Sequence, residues 1–270
     1  MRYAILADVH ANLHALEAVL AALERERPDR WIVAGDLVGY GPHPDECVAR
    51  VLALDPAACV AGNHDLIAIG RLSADRCIPL ARESLEWTAA VIGDETRAAL
   101  GALPLLAREG DLVVAHGSLD DPQEYIRTEE RAHEELARLA VRHPEARALV
   151  VGHTHRPMRV EARGSVIGST PGGPLEPARG TRLLLNPGAV GQSRDARPVT
   201  RALVLDWPAG EARPVEVDYD VAAAKAALRE RGLDPLGVHL PPAPFPGAYR
   251  LRRIARRVSR RTSPRRRTGR

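Results

Sequence analysis

The sequence predicts an α/β protein in which two β-sheets stack on each other and the second sheet is the more antiparallel. As far as residue 155, short apolar runs alternate with amphipathic stretches, which is typical of strands that alternate with helices. After Met158 the apolar runs are short and strand-like, with Gly and Pro between them. A chain of 270 residues is also long enough to bury one large core.

The elements of the first part follow from this alternation. The predicted strands are residues 2–7, 30–35, 58–62, 111–117 and 147–152. The predicted helices of the chain are residues 13–26, 44–54, 79–103, 128–142 and 221–231. In the first helix Leu16, Leu20 and Leu23 share one face, and Pro28 ends it. The third helix is expected in two pieces, with a break near Gly93.

The second part is predicted to be mostly strand and then to leave the domain. Its strand-like runs are residues 159–162, 165–168, 181–186 and 201–207. A long polar loop rich in Gly and Pro is predicted over 168–180. The sequence therefore predicts one domain over 1–233, a proline-rich linker over 234–247 and a basic tail over 248–270. Apolar residues in the tail are spaced as in a short basic helix, and the remainder is expected to be disordered.

Charge is divided unevenly between the domain and the tail. Residues 250–270 contain 11 arginines and no acidic residue, which leaves 27 basic and 35 acidic residues elsewhere, a net charge of about −8. Such a tail is most often a solvated end. Weak binding of nucleic acid or of an anionic surface is the alternative.

The chain has the features expected of a cytoplasmic protein. Its three cysteines, Cys47, Cys59 and Cys77, have no CxxC spacing and are expected to be free thiols in a reducing compartment. The first predicted strand begins almost at Met1, without a signal-peptide pattern, and no apolar run approaches 18 residues.

Five successive strand ends carry side chains that can bind metals. They are Asp8-Val9-His10, Gly35-Asp36, Gly62-Asn63-His64-Asp65, His116-Gly117 and Gly152-His153-Thr154-His155. In open α/β sheets, ligands bind at the carboxyl ends of the strands, so these five ends are expected to meet. Asp8 and His10, two residues apart in an extended segment, can point the same way, and so can His153 and His155.

The residue types indicate a metal site for hard or intermediate ions. Carboxylate, amide and imidazole ligands without thiolates suit Mn, Fe, Zn, Ni or Co and disfavour a structural zinc site of the cysteine type. Seven candidate ligands are too many for one ion and about right for two. They are Asp8, His10, Asp36, Asn63, His116, His153 and His155.

These motifs, in the order D-x-H, GD, GNH, H and GHxH, resemble those of the calcineurin-like metallophosphoesterase superfamily. The stretches GDLVGYGP, GNHD, WTAAVI, HGSLDDPQEY and NPGAVGQSRD resemble its compact, cap-free bacterial and archaeal phosphodiesterase branch. The match to the superfamily motifs spans residues 8–155, and the resemblance to the compact branch continues to about residue 206. The resemblance implies a four-layer α/β/β/α sandwich of two mixed β-sheets flanked by helices.

The resemblance also implies a role for each candidate residue. One ion would be held by Asp8, His10 and His155, the other by Asn63, His116 and His153, with Asp36 bridging both. His64 resembles the group that protonates the leaving oxygen, and Asp65 the residue that orients His64. The implied cofactor is two divalent ions, with Mn favoured and Fe, Zn, Ni, Co or Mg as alternatives.

The function that follows is a phosphodiesterase acting on small phosphodiesters or nucleotides, with dinucleoside polyphosphates as one class. Its nucleophile would be a hydroxide shared by the two cations. The alternatives are a phosphomonoesterase or protein phosphatase, a non-catalytic scaffold of the same fold, and a nuclease that uses the basic tail.

Three further residues are candidates for substrate contact. Asn12 is either the N-cap of the first helix, which we favour, or a phosphate contact. Tyr40 follows Asp36 by four residues, whereas the tyrosinate ligand of purple acid phosphatases follows by three, so Tyr40 is expected to line the cleft instead. Arg194 is a candidate phosphate contact within NPGAVGQSRD, a stretch that otherwise predicts a tight strand–turn packing motif.

Overall fold

The structure, a computed structural model, describes residues 1–162, 164–167 and 181–242. The predicted loop 168–180, residues 243–247 of the predicted linker and the basic tail 248–270 lie outside the described residues.

Strands and helices alternate through the first half of the chain. In chain order the strands are Arg2–Leu6 (β1), Arg30–Val33 (β2), Ala58–Cys59 (β3), Leu106–Glu109 (β4), Leu112–Ala115 (β5), Ala148–Val150 (β6), Met158–Glu161 (β7), Gly164–Ile167 (β8), Leu183–Asn186 (β9), Thr200–Asp206 (β10) and Glu211–Val217 (β11). The α-helices are Leu13–Arg25 (α1), Pro44–Leu52 (α2), Asn63–Ala68 (α3), Pro79–Val91 (α4), Asp94–Ala102 (α5), Glu129–Arg142 (α6) and Val221–Glu230 (α7).

Two mixed sheets form the centre of the molecule, as predicted. The first has the order β11–β10–β1–β2–β3, in which β1, β2 and β3 are parallel and β10 and β11 are antiparallel to their neighbours. The second has the order β4–β5–β6–β9–β7–β8, in which β5, β6 and β9 are parallel and the outer pairings are antiparallel.

Alternation along the strands divides the core into three apolar layers. In β1, Tyr3 and Ile5 belong to the layer between the two sheets, whereas Ala4 and Leu6 belong to the layer under the helices. In the second sheet Val114 belongs to the layer between the sheets, whereas its neighbours along the strand, Val113 and Ala115, pack with α6. The layers therefore run helix, sheet, sheet, helix, which confirms the predicted fold class.

The structure differs from the sequence-based elements in two ways: it has additional elements, and its strands are shorter. Residues 79–103 do form two helices with the break at Gly93, but α3 and β4 were not predicted. All five strands predicted for the first part, 2–7, 30–35, 58–62, 111–117 and 147–152, are shorter in the structure. Each of these strands ends before its glycine or its ligand-type residues, because those residues turn away from the sheet.

The first part of the predicted linker packs against the domain. Pro235–Gly237 forms a 3₁₀-helix, and Val238 is fully buried with Ala224 and Leu228 of α7. His239 forms a β-bridge with Ser193. Residues 234–242 thus extend the domain beyond the predicted boundary at 233, because their apolar side chains cover α7. Among the described residues, no helix is long and apolar enough to cross a membrane.

Candidate metal centre

The five ligand-bearing segments meet at one edge of the two stacked sheets. Asp8 and His10 follow β1, Asp36 follows β2, and Asn63 begins α3 after β3. In the second sheet His116 follows β5, and His153 and His155 follow β6. All seven predicted ligands are buried, with at most 5% of any of them exposed.

The backbone at these ligands is turned, not extended. Asp8, His10, Asp36, His153 and His155 have φ angles of 56°, 49°, 55°, 64° and 59°. The expectation that Asp8 with His10, and His153 with His155, point the same way from an extended segment is therefore wrong. Their side chains converge because the chain adopts left-handed turns, a conformation that Asp and His tolerate better than most residues. Strain of this kind is concentrated at functional sites.

One group of ligands gathers around Asp8. Its members, Asp8, His10 and His155, have ligand atoms that all lie within 4.8 Å of one another. Asp8 Oδ1 lies 3.8 Å from His10 Nε2 and 3.5 Å from His155 Nε2. The other function of Asp8 Oδ1 is local, since it accepts a hydrogen bond from the backbone N–H of His153 at 3.1 Å.

A second group of ligands gathers around Asp36. The ligand atoms of Asp36, His116 and His153 also lie within 4.8 Å of one another. Asp36 Oδ2 is 3.2 Å from His116 Nε2, and Asn63 Oδ1 is 3.1 Å from the same nitrogen. Asp36 Oδ2 is 3.7 Å from His10 Nε2, so this carboxylate reaches both groups.

Backbone carbonyls fix which nitrogen of three histidines is free. Nδ1 of His10 donates to the carbonyl of Val38 at 3.1 Å, and Nδ1 of His155 donates to that of Gln192 at 2.8 Å. His116 Nδ1 likewise donates to the carbonyl of residue 34 at 2.7 Å. With the proton on Nδ1, each ring directs Nε2 into the site, which is the arrangement of metal-binding histidines.

Unpaired acceptors indicate that a cation fits this centre. Nε2 of His10 and Nε2 of His155 lie 3.0 Å apart, so two lone pairs face each other if both rings are neutral. Asp8 Oδ2 and His153 Nε2 are buried without a hydrogen-bond partner in the described structure. Buried acceptors without partners are costly, and a positive ion in each ligand group would give these atoms a partner.

The pKa shifts at the centre favour the protonation states that bind a cation, namely neutral His10 and His155 and an ionised Asp36. Burial lowers the pKa of His10 and of His155 well below the ordinary value, so both rings are neutral. Burial raises the pKa of Asp36, but His116 and His64 outweigh it and hold that pKa well below the usual range. Burial lowers the pKa of His116, but the Asp36 carboxylate outweighs it and raises the pKa to about 9. A divalent ion would therefore displace a proton from His116.

Asp65 is placed differently from its predicted role. Its Oδ1 accepts hydrogen bonds from the backbone N–H groups of Leu37 and Val38 at 2.8 and 3.1 Å, and its Oδ2 accepts one from Gly62 at 2.9 Å. His64 Nδ1 has no hydrogen-bond partner among the described residues. Asp65 therefore does not orient the His64 ring by a hydrogen bond to Nδ1. It joins the loop after β2 to the start of α3.

His64 and Tyr40 lie together beside the ligands. The His64 ring is 4.7 Å from the ring of His10, and the Tyr40 ring is 4.8 Å from each of these two histidines. Burial lowers the pKa of His64 to about 4, and burial raises the pKa of Tyr40.

The other two substrate candidates have different surroundings. Asn12 Oδ1 accepts from the N–H of Ala15 at 3.2 Å, and its Nδ2 donates to the carbonyl of Gly191 at 2.8 Å. Both polar atoms of Asn12 are used within the fold, which supports the helix cap over the phosphate contact. Arg194 lies close enough to the centre that its charge contributes to lowering the pKa of His153 and of His155, after the larger effect of burial.

The stretch NPGAVGQSRD is a packing motif around the centre. Asn186 Nδ2 donates to the carbonyl of Gly152 at 2.6 Å, which fixes the loop after β6. The N–H groups of Val190 and Gly191 donate to the carbonyls of residues 7 and 8. Together with the carbonyl of Gln192 that holds His155, these bonds fasten the ligand loops of the two sheets to each other.

One aromatic residue at the centre was missed by the sequence reasoning. The ring of Tyr125 stacks on the ring of His153, with centroids 3.9 Å apart and planes at 24°. Arg127 in turn lies over the Tyr125 ring at 3.8 Å. Tyr125 is the last residue of the stretch HGSLDDPQEY. Because only 3% of the chain is aromatic, a tyrosine so close to a predicted ligand motif could have been identified from the sequence as a candidate site residue.

The fold and the buried cluster define a class of protein, and sequence comparison agrees with them. The family model of the calcineurin-like phosphoesterase superfamily domain matches residues 1–207, and the chain belongs to this family.

Among individual relatives, a metallophosphoesterase from Sphaerobacter thermophilus has a similar solved structure, with a TM-score of 0.74 and 37% identity over 88% of this chain and 97% of that one. An uncharacterized protein of Methanocaldococcus jannaschii is 29% identical over 82% of this chain and 89% of its own. A hypothetical protein from Pyrococcus horikoshii, at 17% identity and a TM-score of 0.70, shares the fold over 88% of this chain and 96% of its own.

Proposed function

We propose that the chain is a dinuclear-metal phosphodiesterase that hydrolyses small phosphodiesters or nucleotides. The observation that carries this proposal is the pair of buried ligand groups that share Asp36. We assign Asp8, His10 and His155 to one ion, Asn63, His116 and His153 to the other, and Asp36 to both. Retention of all seven ligands argues against a non-catalytic scaffold.

The donor set fits divalent ions that accept oxygen and imidazole ligands, and we favour manganese. When bound, such a pair supplies Lewis-acid stabilisation of charge at phosphorus and a water that ionises near neutral pH. The protein positions its own groups for this reaction through the Nδ1 hydrogen bonds and the left-handed turns, and the buried walls strengthen every charge interaction at the centre.

We assign His64 to the leaving oxygen. Its Nδ1 is buried without a hydrogen-bond partner among the described residues, and its ring is held between Tyr40 and His10. In the hydrolysis, an oxygen from water bonds to phosphorus, the bond from phosphorus to the leaving oxygen breaks, and that oxygen takes up a proton. A ring that donates a hydrogen bond at this position would lower the cost of the departing charge.

Asp36→Asn tests the proposal. The amide cannot supply the negative charge that both ligand groups use, so we expect hydrolysis of bis-p-nitrophenyl phosphate to fall by at least about 10³-fold, or about 4 kcal/mol, with loss of bound metal. Metal content and rate are measured with Mn, Zn, Fe, Ni, Co and Mg. The matched control is Asp94→Asn at an exposed first-turn position of α5.

Activity that survives in Asp36→Asn with normal turnover would refute the metal mechanism. A panel of p-nitrophenyl phosphate and phosphopeptides, run beside the diester, decides between a phosphodiesterase and a monoesterase or protein phosphatase. Faster turnover of the monoester than of the diester would overturn the diesterase assignment alone.

A further inference from the structure

A cavity of about 380 Å³ opens beside the candidate metal centre. Thr154, which lies between the ligands His153 and His155, lines it. Four arginines also line it, namely Arg127 before α6, Arg156 before β7, Arg194 after β9 and Arg201 of β10. The cavity therefore begins at the loop that carries two predicted ligands and continues toward a basic wall.

Three of the four arginines in this wall form no ion pair with a carboxylate among the described residues. Among the described residues, Asp195 is the one acidic residue that lines the cavity, and its carboxylate forms an ion pair with Arg201 at 2.8 Å. Within residues 1–162, 164–167 and 181–242, the guanidinium groups of Arg127, Arg156 and Arg194 have no carboxylate within 4.0 Å. Three positive charges thus face a concave space in a domain whose overall sequence charge is negative.

Two of these arginines are tied to the metal centre through other groups. Arg127 lies 3.8 Å from the centre of the Tyr125 ring, which itself stacks on His153 at 3.9 Å. Arg194 Nε is 3.4 Å from Gln192 Oε1, and the neighbouring carbonyl of Gln192 holds His155. These contacts place positive charge next to the ligands of both predicted ions.

We propose that this cavity binds a second phosphate group of the substrate, joined to the phosphate that reacts at the metal centre. The inference rests on the proposed function, because it uses the same centre for the reacting phosphate. Guanidinium groups bind phosphate with paired, charge-assisted hydrogen bonds, and arginines without a carboxylate partner in a cavity are suited to such an anion. The second phosphate can belong to a phosphoanhydride chain or to the next linkage of an oligonucleotide.

The chemistry of the reaction is unchanged by this subsite. Water supplies the oxygen that bonds to the reacting phosphorus, the bond to the leaving oxygen breaks, and the leaving oxygen takes a proton. The second phosphate is neither attacked nor transferred, and its binding lowers the energy of the bound substrate and of the transition state together. The subsite therefore affects KM for substrates that carry a second phosphate.

The test compares the double variant Arg127→Gln/Arg156→Gln with the wild-type full chain in its metal-loaded form. The ratio of kcat/KM is measured for diadenosine tetraphosphate over bis-p-nitrophenyl phosphate, and for the 5′-phosphorylated dinucleotide pTpT over the same diester. We expect the variant to lower at least one ratio by tenfold or more, mainly through KM. The charge-matched control is Arg25→Gln/Arg229→Gln, which changes two exposed arginines on α1 and α7.

Each outcome decides a separate question. A fall in the tetraphosphate ratio alone assigns the site to phosphoanhydrides, a fall in the dinucleotide ratio alone assigns it to oligonucleotides, and a fall in both supports a second phosphate of either source. Ratios equal to those of the control variant would overturn the subsite while leaving the hydrolase intact. If the wild type hydrolyses no diester, calorimetric binding of pyrophosphate, weaker by tenfold in the variant, still tests the subsite independently of the proposed function.

Discussion

At the scale of single residues, the geometry of the metal centre depends on residues that are not themselves predicted metal ligands. Asp65 accepts three backbone N–H groups, two from the loop that follows Asp36 and one from Gly62. Gly62 approaches Asp36 so closely that a Cβ at this position would lie 2.1 Å from Asp36 Oδ1. The position of the shared carboxylate is therefore set by its neighbours as much as by its own side chain.

The variants Asp65→Asn and His64→Gln distinguish the role of Asp65 in stability from the role of His64 in catalysis. Asparagine presents an NH₂ group to a backbone N–H, so we expect Asp65→Asn to lower the free energy of unfolding by about 1–3 kcal/mol. His64→Gln is expected to lower kcat and leave unfolding nearly unchanged. Urea unfolding and steady-state kinetics measure both. If Asp65→Asn kept full stability and lost only kcat, the predicted orienting role would return.

Gly62→Ala is expected to abolish metal binding and activity, because no side chain fits against the Asp36 carboxylate and its backbone N–H, which a Cβ would meet at 2.1 and 2.3 Å. Gly101→Ala is the matched control. It lies inside α5, and its Cβ would meet only the flexible end of Arg71 at 3.3 Å. The control is expected to be neutral or to stabilise the helix by about 0.5–1 kcal/mol. Bound metal is measured in both, and equal metal content would contradict the packing interpretation.

At the scale of elements, α6 covers one face of the second sheet. The helix α6 begins at the N-cap Thr128, whose side chain accepts from the N–H of Arg131, and its first turn carries Glu129 and Glu130. Its apolar face, with Ala132, Leu136 and Leu139 at spacings of four and three residues, packs on the second sheet. This helix therefore supports the strands β5 and β6 that end at three predicted ligands.

Leu139→Ala tests this support. Leu139 is fully buried in the layer under α6, so removal of its side chain is expected to cost about 2–5 kcal/mol of unfolding free energy. Val141, two residues further along the same helix, is 82% exposed, and Val141→Ala is expected to change stability by less than about 0.5 kcal/mol. Chemical denaturation of both variants checks the difference, and similar losses would contradict the described face of α6.

At the scale of the whole molecule, each ligand group is assembled from both sheets. Asp8 and His10 come from the first sheet and meet His155 from the second. Asp36 from the first sheet meets His116 and His153 from the second. The centre therefore exists only when the two sheets are stacked, and a cation bound there stabilises the folded chain as a whole.

Metal removal is expected to destabilise the entire domain. When the free ion concentration is 100 times the Kd of a site, binding adds about 2.7 kcal/mol to the free energy of unfolding. For a domain of this size this corresponds to a rise in Tm of about 5–10 °C. A chelator should lower the Tm of the wild type by this amount and leave the Tm of Asp36→Asn unchanged. Calorimetry with and without divalent ions measures the shift. Equal shifts in the two proteins would indicate that the ion binds elsewhere.

The local pattern of the sequence determined the fold class, most of the elements and the chemistry of the centre. Apolar runs and amphipathic periods depend on neighbouring residues, and the types Asp, Asn and His define what an ion at the strand ends could bind. The order of the motifs also predicted the protein family, and the comparison with known proteins confirmed that prediction. The short helix α3 was missed because its six residues contain Asn63, His64 and Asp65, whose pattern resembles a loop.

Only the tertiary structure decided how the side chains are grouped and which groups support them. His10 and His155 are 145 residues apart in the chain, yet their Nε2 atoms are 3.0 Å apart. The left-handed turns, the three backbone bonds to Asp65 and the arginine-lined cavity likewise depend on segments that meet only after the sheets stack. Sequence patterns report interactions along the chain, whereas pairing between distant loops is set by the packing of the core, and this packing brings the predicted ligands into one buried cluster.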